Sequence, residues 1–319
     1  MTQKYETERL SLFGQNAGRA ISRAVELLRA GEPVAIPTET VYGLAADATN
    51  GEAVARIFAA KGRPAFNPLI AHVANRAAAE NLVDMPDWAK KLADLFWPGP
   101  LTMVLPMRAG AVHPLVTAGL PTLAVRVPAH LAAQGVLRTF DGPLAAPSAN
   151  PSGRISPTTA DHVLAGLESR IAAVLDAGPC QVGLESTIIG GHADQPAILR
   201  EGGLARDLIE AAIGPLAEAG EGITAPGQLA SHYAPRQQMR LNALSWQTGE
   251  SRLGFGAVDC DLNLSPTSDL AEAAANLFDH LHKLEGRPKN RIAVSPIPES
   301  GLGLAINDRL RRAAAPRPE

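Results

Sequence analysis

The chain has 319 residues, 46% of them hydrophobic and 19% charged, and a formal net charge of −3. That is enough apolar material for one large core or two smaller ones, and it excludes wholesale disorder. With aromatics at only 4%, neither stacking platforms nor a bulk positive field supports non-specific nucleic-acid binding.

In chain order, Ile21, Ala24, Val25 and Leu28 recur at helical spacing, and Gly31 stands where that helix would end. Val34–Ile36 reads as a buried strand. Helical spacing returns at Val54, Ile57 and Phe58, and Leu69–Val73 reads as the next strand. This αβαβ alternation predicts helices packed on a sheet. Further strands are predicted at Leu101–Leu105, Leu123–Val127, Leu144–Ala146, Ile171–Leu175, Thr187–Ile189 and Ile198–Leu199, with helices near 87–96, 129–139 and 158–167. Around 214–226 the periodicity fades into Gly, Pro, Glu and Ala. We therefore expect a first domain at 1–213, a linker at 214–238 and a second α/β domain at 239–319. The second domain should hold strands at Arg240–Leu244, Leu253–Val258 and Ile292–Val294 and helices at Asp269–Leu284 and Ala305–Ala315, an order suited to a small parallel sheet.

Familiar signatures are mostly absent. No G-x-x-x-x-G-K-[ST], G-x-S-x-G or H-E-x-x-H occurs, and Gly301-Leu-Gly303 has no following strand or ribose-binding acid. His280 and His282 are two apart on an expected helix and do not face each other. Cys180 and Cys260 match no metal or redox spacing and read as reduced thiols. The first residues lack an apolar signal region, and no run approaches the ~18 apolar residues of a membrane span. The expected location is cytoplasmic, with no membrane partner.

Polar clusters fall instead at strand ends, where ligands collect in α/β sheets. Pro37-Thr-Glu-Thr40-Val-Tyr-Gly-Leu44 follows a buried strand, and reads either as a pocket lining or as a turn capped by Thr38 or Thr40. Lys61-Gly-Arg63-Pro, with Asn67-Pro-Leu-Ile-Ala-His72, can aim an ammonium and a guanidinium at one polyanion; a solvated pair at a helix end is the alternative. Ala146-Pro-Ser148-Ala-Asn150 continues through Ser152, Arg154 and Ser156, giving hydroxyls and amides on a Pro/Gly-stiffened loop. Arg126 stands inside an apolar strand, where a charge needs an anion: either a ligand or an Asp or Glu partner. Gly183-Leu-Glu185-Ser186-Thr and Ile198-Leu-Arg200 punctuate short strands, and His232-Tyr233 lies between prolines in the linker.

Together with Trp97-Pro-Gly-Pro-Leu-Thr102, these motifs resemble the YrdC-like family across about residues 15–205. The Pro226-Gly227…His232-Tyr233-Ala-Pro235 and Asn307-Asp-Arg309 segments are similar to its two-domain members, the threonylcarbamoyl-AMP synthases. The resemblance implies a twisted mixed sheet with helices and a small C-terminal Rossmann-like α/β domain. It implies an ATP-using nucleotidyltransferase that joins L-threonine, bicarbonate and ATP into L-threonylcarbamoyladenylate and pyrophosphate, for threonylcarbamoyladenosine modification of tRNA. Carried over by motif, Thr40, His72, Arg126, Ala146 (through its backbone) and Ser186 would surround threonine. Arg63, Asn67, Thr122, Ser148, Ser156, Arg200 and Tyr233 would surround ATP, and Lys61, Arg63, Ser148 and Asn150 form the K-x-R and S-x-N pairs assigned to catalysis. Mg²⁺ would ride on the ATP phosphates, and no protein metal site is expected. The linker would fold over the nucleotide. The downstream partner would be the tRNA threonylcarbamoyl-transferase complex, with direct tRNA contact left open. The alternatives are a non-catalytic RNA-binding or ribosome-maturation module of the same fold and a hydrogenase-maturation-type carbamoyltransferase. The small net charge opposes the first, and the chain has neither the length nor the cysteines of the second.

Overall fold

Strand pairing in the computed structural model, which describes residues 5–64, 67–192, 195–218 and 232–316, gathers the first two-thirds of the chain onto one sheet. Its strands are β1 (Glu8–Ser11), β2 (Val34–Ile36), β3 (Gly43–Asp47), β4 (Ile70–His72), β5 (Leu101–Pro106), β6 (Thr122–Arg126), β7 (Leu144–Ala145), β8 (Ala173–Asp176), β9 (Thr187–His192), β10 (Gln195–Arg200) and β11 (Ala217–Glu218). They lie in the order β1-β8-β2-β3-β7-β4-β6-β5-β9-β10-β11, with parallel and antiparallel pairs mixed as expected. A second sheet contains β12 (Gln238–Arg240), β13 (Glu250–Gly254), β14 (Leu262–Asn263) and β15 (Arg291–Val294) in the order β12-β15-β13-β14, every pair parallel. It packs on the helices Leu270–Glu285 and Leu302–Ala314 through Leu277, Phe278, Leu281, Ile306 and Leu310.

Four strands were not foreseen, β1, β3, β11 and β14. β3, Gly-Leu-Ala-Ala-Asp, lacks both alternation and β-branched residues, and it lies where the motif read as a turn. It forms because it is the antiparallel partner of β2, Val34 opposite Ala45, with both faces covered. β1 is a short edge strand, parallel to β8, whose alternating half-exposed pattern gives little apolar signal. β11 falls inside the expected linker yet pairs with β10, so the first sheet extends past residue 213. Pro226, Gly227 and Ser231 lie outside the described residues.

One register row organises the molecule. Leu144 pairs with His72, His72 with Arg126, Arg126 with Thr102, Thr102 with Ile188, and Ile188 with Arg200. Residues in register point to the same face, about 4.8 Å apart from strand to strand. Arg200 enters this row through a bulge: the register shifts between Ile198 and Arg200, which re-aims the last residue of β10. On this face the helices Ala17–Arg29 and Leu131–Phe140 cover the β8-β2-β3-β7 half, burying Val34, Ile36, Ala45 and Leu144. The other half carries a small apolar cluster, Ile70, Val104, Ala124 and Ile188, with Leu199 against it. The opposite face belongs to the main core, where Ala71, Met103, Leu123 and Val125 are buried.

The two domains share a continuous core. Val41, Ile155 and Leu184 of the first pack with Leu277, Phe278 and Leu281 of the second. Gly183 lies so close to the helix Leu270–Glu285 that a Cβ there would stand 2.5 Å from the Ala274 carbonyl oxygen. No helix among the described residues is long and apolar enough to cross a membrane.

Candidate active site

The half of the sheet left open by helices forms the floor of a cavity lined by Thr38, Thr40, Arg63, His72, Arg126, Ala146, Ser148, Glu185, Ser186, Arg200, His232 and Tyr233, among others. Its volume is about 50 Å³.

Arg126 lies on this floor, 3% exposed. Its Nη2 donates to Glu39 Oε1 at 2.5 Å, its Nη1 to Thr40 Oγ1 at 2.9 Å and its Nε to the Gly99 carbonyl at 3.2 Å. Both readings of this arginine therefore meet: it has a carboxylate partner and it faces a cavity. Burial would push the Glu39 carboxyl up, but the Arg126 charge and hydrogen bond outweigh it and hold the group below its ordinary value. The motif after β2 likewise serves both purposes. Thr38 Oγ1 donates to the Val41 carbonyl at 2.6 Å and accepts from the Thr40 and Val41 amides, closing the turn that presents Thr40.

His72 is Arg126's neighbour in the row. Burial, reinforced by the Arg126 charge, pushes its pKa down to about 3. The ring is therefore neutral at pH 7. Nδ1 lies 3.2 Å from the Ile70 carbonyl, which can only accept, so the proton belongs on Nδ1 and Nε2 carries the free lone pair. Ala146 is held in place by its amide, which donates to the Ile70 carbonyl at 3.0 Å. Ser186 shares a hydrogen bond with Thr102 at 2.7 Å, and its carbonyl accepts from Arg200 Nη2 at 2.8 Å.

Across the cavity, the helix Gly51–Lys61 ends at Gly62 with φ 62°, and the chain turns into the Arg63 loop. Lys61 is turned away from the open space: its Nζ donates to the carbonyls of Ser148 and Asn150 at 2.6 and 2.5 Å, tying the K-x-R and S-x-N segments together. Burial, with the nearby Arg63 charge, lowers its pKa well below the ordinary lysine value. Arg63 bonds the Asn67 and Pro68 carbonyls, and burial with the Arg200 charge pushes it down to about 10. It stays a cation at neutral pH. Asn67 is 0% exposed, yet neither its Oδ1 nor its Nδ2 has a partner, an expensive arrangement for a buried amide. Asn150 donates to the Pro151 and Arg154 carbonyls and leaves Oδ1 unpartnered.

Tyr233 and His232 close the site from above. Tyr233 is 1% exposed, sits at φ 61°, and its hydroxyl has no partner. A non-glycine residue in that conformation, with an unpaired buried hydroxyl, is held there by its surroundings against local cost. His232 meets it edge-on, ring centroids 4.1 Å apart, and burial pushes the imidazole down to about 3. Ser156 lies behind, its Oγ donating to Glu185 Oε1 at 2.5 Å.

Of the sequence-derived set, Thr40, Arg63, His72, Arg126, Ala146, Ser148, Ser186, Arg200 and Tyr233 line the cavity, while Lys61, Asn67, Asn150 and Ser156 form its buried backing. Thr122 is set apart. It opens β6, on the same face as Arg126 but at the far end of the strand, about 13 Å away at strand rise. Residues not singled out as site members are Glu39, Glu185, His232 and Arg309. All four stood inside quoted motifs, but Glu39, Glu185 and Arg309 take their roles from partners far off in sequence.

Comparisons with known proteins give the family. A family profile described as telomere recombination matches residues 26–202, and one described as the threonylcarbamoyl-AMP synthase C-terminal domain matches residues 204–315. The chain is 41% identical to the threonylcarbamoyl-AMP synthase of Bacillus subtilis, covering 93% of each protein. It is 40% identical to that of Pyrococcus abyssi, over 92% of this chain and 94% of the relative. Among solved structures, P. abyssi Sua5 complexed with L-threonine superposes with a TM-score of 0.86 at 36% identity, covering 97% of both chains.

Proposed function

This chain belongs to the threonylcarbamoyl-AMP synthase family, and from that premise we propose how its cavity divides between two substrates. The enzyme uses ATP and L-threonine and makes threonylcarbamoyl-AMP, a nucleotidyl transfer that serves tRNA threonylcarbamoyladenosine modification.

Threonine occupies the end of the cavity around Thr40, His72, Arg126, Ala146 and Ser186. Arg126 keeps N–H groups beyond the three it has committed, and these meet the threonine carboxylate. The Ala146 amide is spent on Ile70, so its carbonyl is the backbone group for the threonine amine. The Nε2 lone pair of neutral His72 accepts an N–H or O–H of the same substrate.

ATP lies toward Arg63, Asn67, Ser148, Ser156, Arg200 and Tyr233. Its phosphates face Arg63 and Arg200, and its base runs over the apolar platform of Ile70, Val104, Ala124 and Ile188 toward Thr122. That platform gives a physical reason for Thr122 to belong to the site although it stands apart from the cavity. His232 and Tyr233, 6% and 1% exposed, withdraw for the nucleotide to enter, and they cover it afterwards, keeping water from a labile carbamate and anhydride.

The third substrate is bicarbonate. Its carbon joins the threonine amine with loss of water, a carbamate oxygen forms the bond to the α-phosphorus, and the bond to pyrophosphate breaks. No side-chain nucleophile is needed. Catalysis rests on positioning and on cations at the transferred phosphoryl group, which Arg63 and Arg200 supply, while Lys61 behind them ties the K-x-R and S-x-N segments together. No group of three or more His, Cys, Asp or Glu among the described residues is placed to hold a metal, and Glu185 in the cavity wall is already engaged by Ser156 and Arg309. Mg²⁺ accordingly arrives as part of the MgATP substrate.

The observation that carries this reading is the row His72, Arg126, Thr102 and Arg200 with Arg63 across the cavity: one seat for a carboxylate, two cations for phosphates. The test is pyrophosphate release by the full chain, with each substrate omitted in turn. Release that persists without threonine or bicarbonate would sink it.

A further inference from the structure

Arg309 comes from the second domain, on the helix Leu302–Ala314, and its side chain is 0% exposed. Its Nε donates to Glu185 Oε2 at 2.8 Å and its Nη2 to the Glu201 carbonyl at 2.8 Å, while Nη1 meets Asp308 on its own helix at 2.5 Å. Its guanidinium carbon lies 5.0 Å from the centroid of the Tyr233 ring. One cation thus touches three points around the cavity, all belonging to other elements of the fold.

Each of these contacts ends in the nucleotide half. Glu185, held by Arg309 through Oε2, accepts from Ser156 through Oε1. Glu201 follows Arg200 at the bulged end of β10. Tyr233 rests against the guanidinium. The threonine anchors Thr40 and Arg126 are instead braced by Glu39 and the Gly99 carbonyl, both from the first domain.

We propose that Arg309 is a positioning residue for ATP, through which the C-terminal domain sets the geometry of Ser156, Arg200 and Tyr233 in the first domain's site. This rests on the division of the cavity proposed above. A fork-shaped guanidinium is required, because a single ammonium does not reach a carboxylate, a carbonyl and a ring face together.

The test uses the full chain with steady-state kinetics and thermal unfolding in parallel. Arg309→Met should raise the KM for ATP by about tenfold or more while the KM for threonine stays within about twofold. Arg309→Lys should not rescue it. Because Arg309→Met leaves a buried carboxylate unpaired and endangers folding, the double variant Arg309→Met/Glu185→Gln removes both charges together. It should recover the thermal midpoint and keep the raised KM for ATP. A double variant with both midpoint and ATP KM at wild-type values overturns the proposal, as does a proportional rise in both KM values. If the wild-type chain itself releases pyrophosphate without threonine, the substrate assignment fails instead; normal wild-type turnover beside an unaffected Arg309 variant condemns the Arg309 role alone.

Discussion

Arg126 and Glu39 form a buried ion pair with Nη2 and Oε1 2.5 Å apart, their side chains 4% and 8% exposed. Breaking such a pair by removing one partner costs on the order of 3–5 kcal/mol, because the surviving charge is stranded away from water. The pair also stands one contact away from the proposed seat of the threonine carboxylate, so protein and substrate offer Arg126 the same kind of group.

Glu39→Gln should therefore lower the thermal midpoint of the free enzyme and enlarge the upward shift that threonine produces. Threoninamide, lacking the carboxylate, should not reproduce the enlarged shift. Scanning calorimetry with and without each compound checks this. Equal threonine shifts in variant and wild type would place the carboxylate elsewhere.

Asn67 bears two buried polar atoms without partners, a cost the free protein carries. Asn67→Leu should keep or raise the thermal midpoint while weakening ATP affinity by about tenfold or more, in line with a desolvated group whose bonds form only with ligand. Calorimetric titration of ATP into both proteins reads this directly. A variant that loses stability and binds ATP normally would show Asn67 to be structural.

Burial and the neighbouring Arg63 charge depress Lys61, and a triphosphate in the adjoining cavity favours its charged form. ATP binding should then take up a proton in the pH range between the two values. Titrations in buffers of differing ionisation enthalpy would give the proton count. Uptake that survives in Lys61→Met would assign it to another group.

His72 and His232 stay neutral in the fold down to about pH 3, whereas an unfolded histidine takes up its proton near 6.5. The unfolded state binds more protons over that window, so their contribution is complete above pH 6.5 and declines as pH falls toward 3. At pH 5 the loss is about 2 kcal/mol for each. Denaturant midpoints at pH 7 and 5 should fall accordingly, and His232→Gln should flatten the slope. A flat profile in the wild type would be the contrary result.

The sequence exposed much of this site because its motifs follow strands, and strand ends are where a sheet presents ligand groups. The motifs holding Thr40 and Ser186 stood out for that reason and Arg126 as a charge inside an apolar strand, whereas the roles given to them and to His72 came from the family resemblance. Pairing registers were not: nothing local announces that His72 stands beside Arg126, or that a bulge after Ile198 swings Arg200 into the same row. The partnerships of Glu39 with Arg126 and of Glu185 with Arg309 span 87 and 124 residues, beyond any periodicity or spacing rule. β3 escaped notice because a strand buried on both faces need not alternate.

The place of Arg309 in the chain has a bearing on biosynthesis. Domains fold largely as they emerge, N-terminal first. The sheet that carries the groups proposed for threonine has been translated before the helix Leu302–Ala314, and until then Glu185 lacks its cation and Leu184 its cover. On the division of the cavity proposed above, a chain that ends short of residue 309 should bind threonine yet bind ATP poorly, so the helix Leu302–Ala314 completes the nucleotide half.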